Sequence, residues 1–168
     1  MHWKNIMIRN LLIGIGVAAA MTCSISTSWS ADNASKKFIK HAMEGNLAEI
    51  QVGKLAQEKG QKDGVRAFGQ MLATDHADAN QKATEAAGAL GVAPPTEPSR
   101  KQKALYDKLS KLSGDTFDRQ FAMEMVADHR KDVREYEKEA RKKNDPAADY
   151  ANQSLPVLRK HLQTAQSL

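Results

Sequence analysis

Apolar residues recur at intervals of three and four along the chain from Ala34 onward. This spacing predicts amphipathic helices, and no stretch of useful length alternates between apolar and polar residues as a half-buried strand does. Four apolar stripes can be traced, from Phe38 to Leu55, from Val65 to Leu90, from Phe121 to Ala140 and from Ala151 to Ala165. The sequence therefore predicts an all-α fold in which four helices share one core.

Residues typical of helix ends separate the stripes. Gly60 and the pair Asp63-Gly64 stand between the first two, and the Asn-Asp-Pro run at 144–146 places a cap and a first-turn proline at the start of the fourth. Both connections are short, so each should join antiparallel neighbours. Pro156 falls inside the fourth helix, where it removes a backbone donor and predicts a bend.

The second helix is predicted over residues 63–91 and the third over residues 115–143. The connection between them is longer than the two short turns. Residues 91–114 contain three prolines and a short amphipathic segment, and they are long enough to run the length of a bundle. A single long crossover distinguishes a ferritin-like bundle from a simple up-and-down one. The predicted architecture is a ferritin-like four-helix bundle with this crossover between helices two and three.

The first 30 residues have the features of a secretory signal peptide. A basic start is followed by an apolar run from Leu11 to Met21 and by small polar residues, which favour cleavage between Ser30 and Ala31. The apolar run is shorter than the roughly 20 residues that cross a bilayer. We therefore expect residues 31–168 to be the mature domain, exported to the periplasm without a membrane span and at most peripheral to the outer membrane. Cys23 lies in a poor context for lipidation.

Composition limits the classes of function. The chain has 168 residues and a formal charge of +5, and removing residues 1–30 takes away Lys4 and Arg9 but no acid, which leaves +3. Charges of both signs are spread along the chain and aromatic residues are few, so nucleic acid is not an expected partner. Cleavage also removes the single cysteine, and no serine lies in a nucleophile-elbow motif. An enzyme that uses a nucleophile is therefore poorly supported.

A repeated motif places a histidine in the apolar stripe of two helices. Phe68 followed by Asp75-His76 reappears as Phe121 followed by Asp128-His129, 53 residues later. Each histidine stands eight residues after a core phenylalanine and near the middle of its helix, where leucine would be usual. The preceding aspartate points about 100 degrees away. Both histidines are therefore predicted to face the core.

Counting residues from the two short turns brings further polar residues to the same level of the bundle. His161 lies as far from the second turn as His129 does, and Glu49 lies within about one helical turn of the level of His76. Gly45 and Gly53 flank Glu49 and would leave room beside it. The predicted site binds Zn, Cu or Fe, with Asp75 and Asp128 as supporting partners. Its predicted ligands are Glu49, His76, His129 and His161.

The same residues also fit a metal-free reading. Buried histidines are commonly held in polar networks with carboxylates or water, and such a network would fix the register of the helices. His41 is predicted to lie on the surface or rim of helix one. Methionines at helical spacing, here Met71, Met123 and Met125, are expected to fill the core and not to bind copper.

Further motifs accompany the repeated histidine, and the whole set consists of residues 45–49 (Gly-Asn-Leu-Ala-Glu), Phe68, Met71 and Asp75-His76, Leu112-Ser113-Gly114 with Phe117-Asp118, Met125 and Asp128-His129, and Leu155-Pro156 with Leu158 and His161. Together these motifs resemble a bacterial family known as domain of unknown function 4142, whose members are exported proteins often labelled predicted outer membrane proteins. The resemblance implies a ferritin-like bundle and permits a metal, but it implies no activity. Where ferritin-like di-iron proteins have Glu three residues before His, this chain has Ala73 and Val126, which argues against di-iron chemistry.

Overall fold

The structure, a computed structural model, describes residues 33–168, and the predicted signal peptide lies outside them. The described residues form helices joined by turns and contain no strand, which confirms the all-α prediction. One helix more than the four long ones is present, because the amphipathic segment of the crossover is itself helical. The five helices are α1 (Asn33–Lys59), α2 (Asp63–Leu90), α3 (Arg100–Ser110), α4 (Gly114–Glu139) and α5 (Pro146–Gln166).

The helix boundaries follow from local capping chemistry. The side chain of Asp145 accepts a hydrogen bond from the backbone N–H of Ala147, and Pro146 occupies the first turn of α5 as predicted. Gly91 ends α2 with φ of 66°, a left-handed conformation that glycine adopts without steric cost. Ser99 and Gln102 cap the start of α3 reciprocally. α5 continues through Pro156 as a single helix.

The helices pack as two long pairs, α1 along α2 and α4 along α5, with α2 also lying against α5. The helix α3 lies over α1 and α4 and buries only Leu109 fully. None of the helices in the described part is long and apolar enough to cross a membrane.

The core consists of two apolar clusters with a polar level between them. On α2, Val65 to Leu72 belong to one cluster and Ala83 to Leu90 to the other, with His76 between. The other long helices repeat this order, since Asn46 and Glu49, His129 and His161 each fall between residues of the two clusters. Buried polar residues thus occupy one level across four helices.

Of the two glycines that were predicted to leave room beside Glu49, Gly53 has a different role. A Cβ atom on Gly53 would lie 2.6 Å from the carbonyl oxygen of Gly69 and 2.9 Å from the backbone nitrogen of Ala73. The space at Gly53 is therefore filled by the backbone of α2 and not by the Glu49 side chain. Gly45 is open by comparison, since its Cβ would meet only Gln102, at 3.7 Å.

Candidate functional site

Three buried histidines meet at the polar level of the core. His76 from α2, His129 from α4 and His161 from α5 are 4%, 1% and 0% exposed. Each offers one ring nitrogen to a group of atoms that all lie within 4.8 Å of one another. The predicted convergence of these side chains is therefore observed, and it depends on three different helices.

Asp75 fixes the proton of His161. The Nε2 atom of His161 lies 2.9 Å from Oδ2 of Asp75. Because a carboxylate can only accept, Nε2 must carry the hydrogen, and the Nδ1 atom of the neutral ring then has a free lone pair. The sequence predicted Asp75 as a supporting partner, although it did not indicate that the partner would be the histidine of another helix.

A backbone carbonyl fixes the position of the proton on His129. Its Nδ1 atom lies 3.0 Å from the carbonyl oxygen of Met125, one turn earlier on α4, and must donate to it. The Nε2 atom of His129 therefore has a lone pair, and it faces Nδ1 of His161 at 3.3 Å. When both rings are neutral, no hydrogen remains to join these two nitrogens.

An asparagine orients the third ring. Nδ1 of His76 lies 2.9 Å from Oδ1 of Asn46, while the amide nitrogen of Asn46 donates to the hydroxyl of Tyr150 at 3.0 Å. Nδ1 of His76 is thus the donor in this pair, which leaves its Nε2 with a lone pair. That Nε2 atom is buried and has no hydrogen-bond partner. All three rings therefore bond outward through N–H and turn an unprotonated nitrogen inward.

Burial keeps the three rings neutral. It lowers the pKa of His129 to about 4, with a further contribution from His161 and against the opposing effect of the Met125 carbonyl. Burial likewise lowers the pKa of His76 well below 6.5, and it lowers the pKa of His161 despite the hydrogen bond that His161 donates to Asp75. Neutral imidazole is the form that binds metal ions.

Glu49 is buried on α1, next to carboxylates of α4. The group of nitrogens described above contains no atom of Glu49. Its Oε2 atom is buried without a hydrogen-bond partner. Burial, followed by the neighbouring charges of Asp128 and Asp132, raises the pKa of Glu49 well above 4.5. Asp128 thus interacts with Glu49, and its predicted role of supporting a histidine is taken instead by the Met125 carbonyl and by Asp75.

Some residues that build the site were missed by sequence reasoning. Asn46 and Tyr150 orient His76, and Phe68 packs its ring against His161 with centroids 5.9 Å apart. The available signal was Asn46 itself, a polar residue one turn from Glu49 on the buried side of α1 and 3% exposed. His41 is exposed, as predicted, and Met125 fills the core. The prediction that Met123 also fills the core is wrong, because its side chain is 66% exposed on α4.

Within the described residues, two cavities border His76. The larger, about 570 Å³, opens between α1, α3 and α4 and is also lined by Asn46. The smaller, about 110 Å³, lies mainly between α2 and α5 and is lined by His161 and Asp75 as well. His76 thus borders both cavities, His161 borders only the smaller one, and His129 lines neither.

The sequence profile of a family described as Domain of unknown function (DUF4142) matches residues 22–168. The chain belongs to this family. The match confirms the resemblance drawn from the repeated Asp-His motif, and the DUF4142 description names no reaction, ligand or partner. No curated protein sequence matches the chain.

A solved structure has the same fold. The crystal structure of a DUF305 fragment from Deinococcus radiodurans superimposes with a TM-score of 0.70, covering 82% of this chain and 95% of that one. The two sequences are 17% identical over the match. At that identity the likeness extends to the helical fold and not to the site.

Proposed function

We propose that this DUF4142 protein binds one transition-metal ion through His76, His129 and His161. The observation that carries the proposal is the set of three inward lone pairs, with the hydrogens of all three rings engaged elsewhere. Two neutral nitrogens 3.3 Å apart with no hydrogen between them repel each other, and a cation between them removes that repulsion. A shared proton would do the same, but the lowered pKa values disfavour it at neutral pH.

The spacing of two of the donors fits such an ion, and the nitrogen of His76 lies within 4.8 Å of both. Two imidazole nitrogens bound at 2.0–2.1 Å in a tetrahedral complex lie about 3.3 to 3.4 Å apart, which matches the His129 to His161 distance. Metal-binding histidines usually donate their other N–H to a carboxylate, a carbonyl or a similar acceptor, as all three do here. Imidazole donors without thiolate favour Zn, Cu or Fe over Mg or Ca. Glu49 remains our candidate for a fourth ligand or for balancing the charge of the ion.

The setting of this site is proposed as well. We propose that α1, α2, α4 and α5 form a ferritin-like four-helix bundle in which residues 91–113, including α3, are the crossover. We also propose that residues 1–30 are a signal peptide and that residues 31–168 act in the periplasm. The pairing of the long helices supports the first proposal. Mass spectrometry of the mature N-terminus tests the second, since retention of residues 1–30 would contradict it.

Metal content tests the proposed function. The purified protein, equilibrated separately with Zn²⁺, Cu²⁺ or Fe²⁺ and desalted, should retain one ion per chain for at least one of them, measured by plasma mass spectrometry. His129→Ala and His161→Ala should abolish retention, while His41→Ala should not. X-ray absorption of the loaded wild type should show imidazole scattering from about three ligands, so the test does not depend on the folding of the variants. Absence of bound metal in the wild type would refute the proposal.

A metal-free structural or stress-response role is the second candidate. The hydrogen bonds from Asn46 to Tyr150 and from His161 to Asp75 connect different helices, and this supports a network that fixes their register. Such a network leaves the nitrogens of His129 and His161 facing each other without a hydrogen. The same metal measurements separate the two candidates, because a structural network predicts no retained ion.

A further inference from the structure

The larger of the two cavities has the features of a path for cations. It lies between α1, α3 and α4, and we call it the acidic groove. Its lining includes five carboxylates against two lysines, whereas the whole chain carries a net positive charge. The lysine Lys131 bonds both Asp132 and Glu135, so part of the positive charge is already compensated within the groove. The five carboxylates are those of Glu44, Glu124, Asp128, Asp132 and Glu135.

The inner end of the groove is close to two buried atoms that lack a hydrogen-bond partner. His76 lines its inner end, is 4% exposed, and has a buried Nε2 atom without a hydrogen bond. Glu49 lies behind Asp128, is 5% exposed, and has an unpartnered Oε2 atom. Two buried unpartnered acceptors at the end of an acidic channel are positions that a cation would satisfy.

We infer that the acidic groove captures the hydrated metal cation and delivers it past Asn46 and His76 to the three histidines. This inference rests on the proposed function. A cleft lined by charge of one sign concentrates counter-ions and raises association rates by about 10- to 1000-fold, and the effect weakens as salt is added. The crowded carboxylates of α4 also repel one another, and an arriving cation relieves that repulsion.

The smaller cavity is the competing route. It also touches His76 and reaches His161, but its charged lining consists of Asp75, Asp78 and Lys82 and its volume is about one fifth as large, 110 against 570 Å³. The lining therefore carries a weaker negative charge. Its outer carboxylate, Asp78, provides a matched control because replacing it removes the same charge at the other side of the site.

Gly45 allows the groove to be blocked without disturbing the ligands. It lines the groove, and a Cβ atom there would meet only Gln102, at 3.7 Å. Gly45→Leu places an apolar side chain in the path on a helical residue with ordinary backbone geometry. A blocked path slows the arrival and the departure of the ion by the same factor, so the dissociation constant stays unchanged. A change in a ligand would instead alter that constant.

Stopped-flow binding of Co²⁺, followed by its visible absorption at pH 8 and low ionic strength, tests the inference. Asp132→Asn should lower the association rate several-fold, and this difference should shrink at 0.5 M salt. Gly45→Leu should lower the association and dissociation rates together by about 10-fold. Asp78→Asn should leave both rates unchanged.

The possible results separate the inference from the function on which it rests. If Co²⁺ binds and the groove variants keep the wild-type rates, or if Asp78→Asn slows binding instead, the acidic groove is not the path. If Gly45→Leu weakens equilibrium binding without slowing release, the groove is part of the site and the inference of a path fails. If neither Co²⁺ nor Zn²⁺ binds to the wild type, the proposed function is refuted and the path with it.

Discussion

Each of the three clustered histidines uses one ring nitrogen for a neighbour outside the cluster. A carboxylate, a backbone carbonyl and an amide oxygen serve as acceptors for His161, His129 and His76. Three unrelated acceptors produce the same result, an unprotonated nitrogen turned inward. Hydrogen bonds that served only to hold the helices together would not need to leave an unprotonated nitrogen facing inward on every ring.

Asp75 should matter for metal affinity although it is not a ligand. In Asp75→Ala, Nε2 of His161 loses its acceptor, so the ring loses both its fixed tautomer and its orientation. We expect the dissociation constant for Zn²⁺, measured by calorimetric titration, to rise about 10- to 100-fold. Asp78→Ala, three residues further on the same helix, is the control and should bind as the wild type does. Equal affinities for the two variants would contradict the role of Asp75.

The lowered pKa of His129 predicts a pH dependence of stability. In the unfolded chain this ring takes up a proton near pH 6.5, but in the folded protein only near pH 4. The unfolded state therefore binds more protons between these values, and the free energy of unfolding falls as the pH decreases from about 6.5 to 4. The loss due to His129 is about 3 kcal/mol. Above pH 6.5 the His129 ring is neutral in both states, so none of this stability is lost there.

The measurement must separate the effect of His129 on the free energy of unfolding from that of buried carboxyl groups, whose pH dependence has the opposite sign. Glu49 has a raised pKa and Asp132 has one raised to about 7, so both favour the folded state as the pH falls. Urea unfolding of metal-free wild type and His129→Gln at several pH values isolates the histidine. The stability difference between them should shift in favour of the variant as the pH drops from 6.5 to 4. A difference that does not change with pH would contradict the prediction.

Sequence reasoning identified the histidines but not the atoms that orient them. The repeat of Asp75-His76 at Asp128-His129 and the distance of His161 from its turn were sufficient, because helical rise converts residue counts into height. The two aspartates look equivalent in sequence, yet only Asp75 bonds a clustered histidine. Which acceptor a ring meets depends on rotamers and on neighbouring helices, and a periodic pattern does not contain that information.

At the scale of the helices, the contact between α1 and α2 depends on two glycines. A Cβ on Gly69 would lie 2.6 Å from the carbonyl oxygen of Gly53 and 3.0 Å from the backbone nitrogen of Gln57. Both atoms belong to the backbone and cannot move aside as a side-chain end would. The close approach of the helices therefore requires the absence of a side chain at this position.

Gly69→Ala should lower the free energy of unfolding by about 1 to 3 kcal/mol, since overpacking at a helix contact forces the backbones apart. Gly88→Ala is the matched control on the same helix, because its Cβ would meet nothing within 4 Å. That variant should be as stable as the wild type or more stable by up to about 1 kcal/mol. Thermal unfolding followed by circular dichroism measures both, and a neutral Gly69→Ala would contradict the close contact.

The prediction of individual helices was accurate where local signals were strong and less so elsewhere. The cap at Asp145 and Pro146 placed the start of α5 correctly, since capping is a local interaction. The third long helix was predicted to reach residue 143 but ends at Glu139, before the turn in which Asn144 adopts φ of 54°. The use of Gly53 was misread because the partner that fills its space comes from another helix.

Across the described domain, the polar level brings together residues that lie far apart in the sequence. His76, His129 and His161 belong to α2, α4 and α5, and Asn46 connects α1 to the same level. Apolar clusters close this level on both sides. An ion held there would join both helix pairs, so its binding free energy would add directly to the stability of the fold.

Added metal should therefore stabilise the entire molecule and not only the site. A single ion that binds the folded state alone contributes about 2.7 kcal/mol at a concentration one hundred times its dissociation constant. For a domain of this size that corresponds to a rise in the unfolding temperature of roughly 10 °C. Differential scanning calorimetry measures this rise by comparing protein that has added Zn²⁺ or Cu²⁺ with protein that has a chelator. The structural-network reading predicts no rise.

Two histidine variants decide which residues are responsible for that rise. His129→Ala should lose it completely, because the remaining pair of rings lacks the nitrogen closest to His161. His41→Ala should keep it, since His41 is exposed on α1 and bonds none of the clustered rings. If the rise survived in His129→Ala and vanished in His41→Ala, the ion would bind at the surface, and the buried histidines would then be a structural network whose facing nitrogens need another explanation.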